Sequence, residues 1–221
     1  MGDTRKGGKG AKLSVSDDDN LKKGEHPEED IDLVDYLTKA QTSAVSPEVA
    51  LERTNPNYDE TWRTTEYNEN CQRCVWAYEL QRRGYDVEAL PTFQGDDLPM
   101  AGNWMKLDKN RKTADNYKYV GQKYGQTNSV KTEITNITET MDNWGDGSRA
   151  VVRVRWKKGG AHVFNIENVG GKIKAYDGQI GKEVNLRETL NRSVRSYTQL
   201  VRTDNADINM SEVSKYVKIR G

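Results

Sequence analysis

A Gly-Gly pair at 170–171 divides the stretch AHVFNIENVGGKIKAYD, residues 161–177, into two runs rich in β-branched and aromatic residues. No other feature restricts the fold of this chain as tightly. Glycine accepts the positive φ of a two-residue reverse turn whose twist suits paired strands, so the two runs are expected to form an antiparallel hairpin. The turn pairs Val169 with Lys172, and each step outward keeps the sum of the paired residue numbers at 341. Phe164 then faces Asp177, and His162 faces Gln179. Side chains of like parity share a face in this register, so His162, Phe164, Asp177 and Gln179 lie together, with Asp177 diagonal to His162. The imidazole thereby gains a carboxylate neighbour.

Ala150–Trp156 (AVVRVRW) is a third strand, which extends the hairpin into a meander. Its alternating Arg153 and Arg155 suggest a solvated outer face. Ahead of the meander, NCQRCVWAYELQRRG at 70–84 has Asn70 as a candidate N-cap, good helix formers in the middle and Gly84 where a left-handed C-terminal residue is wanted. A helix over about 71–83 follows. Tyr85–Leu90 alternates like an edge strand, and Asp96–Gln126 reads as irregular with at most short helical pieces. Thr132–Asn143 sets Ile134, Ile137 and Met141 on one helical face. Beyond the meander, Leu186, Leu190 and Val194 suggest a helix, Tyr197–Arg202 a strand, and Ser211 a cap for a terminal helix over Glu212–Val217. Helices first and a curled antiparallel sheet afterwards give an α+β domain.

Composition sets the limits of that domain. Seventeen of the 18 aromatic residues fall in 51–221, whereas residues 1–50 hold Tyr36 alone and carry seven Lys/Arg against eleven Asp/Glu. The chain is therefore expected to divide into a flexible acidic arm, 1–50, and a folded part, 51–221. Within the arm Ile31, Val34 and Leu37 recur at helical spacing, so a short helix over 30–40 could dock or bind a partner, though a transient helix in a flexible arm is the stronger expectation because helices this short are marginal alone. With 34 basic and 34 acidic residues overall, nucleic acid is not the expected partner. No run approaches the ~18 apolar residues of a membrane span, and the N-terminus lacks a secretory apolar core, which implies a soluble chain made in the cytoplasm.

Two cysteines and two histidines leave little choice for a reactive centre. Cys71 opens the predicted helix, where the partial positive charge of the helix end favours thiolate. It needs only a base. His162 is the candidate, because His26 lies in the acidic arm, and Asp177 or Gln179 would orient it; such a set activates a thiol for acyl transfer. The CxxC spacing of Cys71 and Cys74 also fits a metal half-site or a redox pair. Zinc, however, needs two further ligands, normally a second close pair, and a thioredoxin-like pair follows a buried strand, which Glu66–Asn70 does not resemble. Cys74 is then expected to be a small buried hydrophobe.

The strings NPNY at 55–58, NCQRCVWAYELQRRGYDVEALP at 70–91, GGAHVFNIENVGGKIKAYDGQIGK at 159–182 and RTDN at 202–205 resemble the papain-fold toxin domain. This family occurs at the C-termini of bacterial polymorphic toxins and in phage head-associated proteins, and includes relatives of protein-glutamine deamidases. The resemblance implies a papain-like fold, a nucleophile helix packed on the sheet and no cofactor. It makes Cys71 the nucleophile, His162 the general base and Asp177 the third member, with Gln179 as the adjacent alternative. Papain-type enzymes place an oxyanion-hole Gln shortly before the nucleophile, but here Tyr67-Asn68-Glu69-Asn70 precedes it. The Cys71 N–H and the Asn70 or Asn68 amide would serve instead. A protein substrate is implied, with an immunity protein or a phage head protein as partner and delivery to another cell or packaging in a virion. The competing reading is a catalytically idle papain-type fold with a structural role.

Overall fold

The computed structural model describes residue 35 and residues 43–61, 66–92, 105–106, 117–121, 129–208 and 210–220. Its architecture is α+β, with antiparallel sheets. Helices α1 (Pro47–Thr54) and α2 (Cys71–Arg82) come first, separated by a short 3-10 turn at Glu66–Asn68. Strands β1 (Val87–Ala89), β2 (Met105–Lys106) and β3 (Tyr117–Tyr119) lead to α3 (Val130–Trp144). The meander β4 (Arg149–Arg155), β5 (Ala161–Val169), β6 (Lys172–Asp177) and β7 (Lys182–Val184) is followed by α4 (Leu186–Arg192). The chain closes with β8 (Gln199–Arg202), β9 (Asp207–Ile208), α5 (Met210–Val213) and β10 (Val217–Ile219).

Six strands form the main sheet in the order β3-β8-β4-β5-β6-β7, so β8 returns to pair beside β4. The hairpin register follows from its turn: Gly170 and Gly171 both take positive φ, and Val169 pairs with Lys172 and Asn165 with Tyr176 as expected. Alternation along β4 then feeds two cores. Val151 joins Val163 and the α2 residues Cys74, Val75 and Trp76 on one face, while Val152, Val154 and Phe164 pack with Ile137 and Met141 of α3 on the other. Burying both faces explains why β4 is apolar at successive positions. At the outer end of the strand Arg155 is exposed, and Arg153 is half-buried and donates to Gln199 Oε1 at 3.3 Å. Ser129 caps α3 by accepting from the Thr132 N–H at 3.3 Å.

Several expectations are corrected. The hairpin register does not extend to Gln179, because β6 ends at Asp177 and residues 178–181 form a turn into β7, with Gly181 at φ 62°. Asp177 initiates that turn by accepting from the Gln179 N–H at 3.1 Å, as aspartate does before glycine. The terminal segment is not a helix over 212–217. It holds the short α5 and then β10, which pairs with β1 through Val87–Ile219 and Ala89–Val217. The strand expected over Tyr197–Arg202 begins as a 3-10 turn, Arg195–Tyr197. Within 96–126 the described pieces are strands β2 and β3 rather than helical. The helix expected at 30–40 lies outside the described residues except for Asp35. Helix α1 also crosses the arm boundary drawn at residue 50, and Ala50 and Leu51 are buried with Tyr78 and Tyr176.

Candidate active site

The start of α2 is held by an amide network. Asn70 is fully buried, and its carbonyl accepts from the N–H groups of Arg73 and Cys74 at 2.8 and 3.0 Å. Its side chain does not cap the helix as expected from sequence. Instead Nδ2 donates to Asn55 Oδ1 at 3.0 Å and to the Leu90 carbonyl at 3.2 Å, while Oδ1 accepts from the Cys74 thiol at 3.2 Å. Asn55 returns the bond and also donates to the carbonyls of Tyr67 (2.9 Å) and Gln179 (2.8 Å). One side chain thus joins the end of α1, the 3-10 turn, the start of α2 and the turn after β6. Sequence reasoning passed over Asn55, whose only signal was its place in the NPNY string.

Cys71 is half-buried at the first position of α2. Cys74, one turn deeper, is 1% exposed, and burial pushes its thiol well above the ordinary value. Both are free thiols. His162, the second residue of β5, stands at the end of the sheet and places Nε2 2.8 Å from Asp177 Oδ2. Burial alone would depress the imidazole. The hydrogen bond and charge of Asp177, joined by a side-chain hydrogen bond and charge from Cys71, outweigh it and push His162 up to about 10. With Nε2 given to Asp177, Nδ1 is the nitrogen left for the thiol. The ring also lies between two aromatic neighbours, stacked on Trp156 (5.6 Å between centroids) and Phe164 (6.3 Å).

The structure therefore brings Cys71, His162 and Asp177 together and places Gln179 and Asn70 elsewhere. Gln179 Nε2 donates to the Asn68 carbonyl at 2.6 Å, and the Asn68 amide donates to the Asp59 carbonyl at 2.8 Å. The side-chain amides of Asn68 and Asn70 are thus bonded within the protein. The N–H of Cys71, as the first helical residue, has no acceptor within its own helix.

The register of α2 on the sheet is fixed by buried charge. Glu79 is fully buried and receives Arg149 (2.9 and 3.0 Å), Arg83 (2.8 Å) and the Thr203 hydroxyl (3.0 Å). These partners overcome burial and hold its carboxyl below the usual range. Glu167 likewise accepts from Arg82 (2.8 and 3.0 Å) and Tyr78 (2.9 Å). Asn165 Nδ2 donates to the Val75 carbonyl at 3.1 Å.

Residues 69–182 match the family described as papain fold toxin 1, glutamine deamidase. The matched stretch begins just before Cys71 and ends just beyond the turn that follows Asp177, so it contains Cys71, His162 and Asp177 but not Asn55. No curated protein and no solved structure matches the chain. More than half of the sequence lies in that match, and the chain belongs to the papain fold toxin family of glutamine deamidases.

Proposed function

We propose that this chain is a thiol-dependent deamidase of glutamine side chains in proteins, with Cys71 as nucleophile, His162 as acid and base, and Asp177 as the group that orients and charges the imidazole. The observation that supports it best is the His162 ring, acted on by Asp177 through Nε2 and by Cys71 from the other side. An imidazole held protonated through neutral pH by Asp177, with Cys71 at its other side, is placed to give its proton to a leaving group.

The Cys71 thiolate attacks the carboxamide carbon of glutamine, and the Cys71 N–H meets the oxyanion as it forms. His162 gives its proton to the amide nitrogen, which leaves as ammonia, and a thioester remains. Neutral His162 then takes a proton from water, the hydroxide adds to the thioester carbonyl, and collapse releases glutamate and restores the ion pair. Every atom in the cycle comes from the protein, the glutamine and one water. Peptide cleavage would use the same groups with a different leaving amine; the family favours ammonia. Its toxin description also supports a target protein in another cell.

The test is ammonia release together with a ~1 Da mass gain at glutamine. Wild type should show both on protein substrates, Cys71→Ala neither, and Cys74→Ala most of the wild-type rate. Fragmentation of the substrate without ammonia would mark a peptidase instead.

A further inference from the structure

One end of the main sheet, beside His162, carries a group of exposed cations. Trp156, Lys157 and Lys158 follow β4, and this segment is laced to the end of α4: Trp156 bridges to Ser193, and the Lys157 N–H donates to the Arg192 carbonyl at 3.0 Å. The Arg192 guanidinium sits 5.1 Å above the Trp156 ring, which is itself stacked on His162. At the same strand end Arg155 lies 5.0 Å over Tyr197, a ring that is 44% exposed. Arg155, Lys157, Lys158 and Arg192 are all exposed. Among the described residues no carboxylate lies within ion-pair distance of any of them, whereas Arg82, Arg83, Arg149 and Arg202 each have one. In a chain with equal numbers of acids and bases, this is a local excess of positive charge beside the Trp156–His162 stack.

We propose that this aromatic–basic rim binds acidic residues flanking the target glutamine, with Arg192 on Trp156 as the specificity-determining contact. The proposal rests on the deamidase reading above and adds a substrate class to it. A guanidinium stacked on an indole is held in place by the ring while its N–H edges remain free to take a carboxylate in bidentate fashion. Because Trp156 links Arg192 to the imidazole, a carboxylate at Arg192 lies near the reacting amide. Exposed cations at this end of the sheet would also steer an acidic segment toward it. Nucleic acid is the less favoured ligand, since Trp156 and Tyr197 already carry protein cations on their rings, and base stacking would have to displace them.

The experiment uses the full chain and three peptides with one glutamine, flanked by glutamates, by serines or by lysines. In the Cys71→Ala chain, calorimetry should show the glutamate peptide binding about fivefold tighter than the serine peptide and the lysine peptide weakest, with the preference shrinking as salt is raised. In the active chain the same order should appear in kcat/KM for ammonia release, mainly through KM. R192E should invert the order in both assays. Equal binding of the three peptides, or an order unchanged in R192E, overturns the proposal. So does displacement of the glutamate peptide by a single-stranded oligonucleotide at lower concentration than by free acidic peptide. If the binding order holds but no peptide releases ammonia, it is the deamidase reading that fails and the acidic-ligand rim that stands.

Discussion

His162 gains Asp177 and Cys71 as partners on folding, and this ties stability to pH. Its folded value of about 10 stands above the unfolded 6.5, so its contribution is fully present below about pH 6.5 and is lost as the pH rises toward 10. The urea midpoint of the wild type should fall across that window. His162→Gln should flatten the dependence, and Cys71→Ala, by removing one partner, should shift the loss to lower pH. A second expectation separates the residues considered for the third catalytic role. Asp177 contacts the ring and Gln179 contacts a carbonyl, so Asp177→Asn should lower ammonia release by two or more orders of magnitude, as expected when a buried orienting carboxylate is neutralised. Gln179→Ala should have a several-fold effect through a stability loss of about 1 kcal/mol. The pair Cys71 and His162 was legible in sequence because each residue type occurs only twice. Asn55 was not: asparagine is common in turns, and nothing in one dimension shows that position 55 reaches both 70 and 179.

Between elements, the turn after β6 and helix α2 meet at Gly178. A Cβ there would lie 2.8 Å from Thr54 Cγ2 and 3.4 Å from Cys74 Cβ. Thr54 cannot easily rotate away, since its hydroxyl donates to the Ala50 carbonyl at 2.7 Å and its branched side chain is stiff. Gly178→Ala should therefore push the turn off α2 and carry Asp177 with it, lowering kcat more than KM and costing about 1–3 kcal/mol in denaturant unfolding. Asn55→Ala acts at the same junction by stranding buried partners, for a loss of about 1–3 kcal/mol and a drop in turnover. A rate left at the wild-type value in either variant would mean that the junction does not position the site. The hairpin was legible to the residue at its turn, because two glycines specify it. Its outer end was not, because the Asp-Gly turn at 177–178 overrides a register extrapolated from Val169 and Lys172. The terminal strand β10 was missed for a related reason: its partner β1 is far away in the chain, and a capping serine gave a local signal of the wrong kind.

For the whole molecule, α1 is part of the core. Its Ala50 and Leu51 cover Tyr78 and the stacked Tyr176, and Arg82 donates to the Val45 carbonyl. Removing residues 1–42 should leave a cooperative unfolding transition and full activity, whereas removing 1–54 should lower the melting temperature sharply by uncovering those rings and deleting Thr54 at the site junction. Equal melting of the two truncations would show α1 to be dispensable. The long-range ties across the site also have a temporal consequence. Tyr78 and Glu167, which lock α2 to β5, are 89 residues apart, and Cys71 is about as far from His162. A chain still being synthesised holds a thiol with no imidazole until β5 emerges, and an imidazole with no carboxylate until β6 follows. The cell that makes this protein therefore meets the assembled centre only once β6 has left the ribosome.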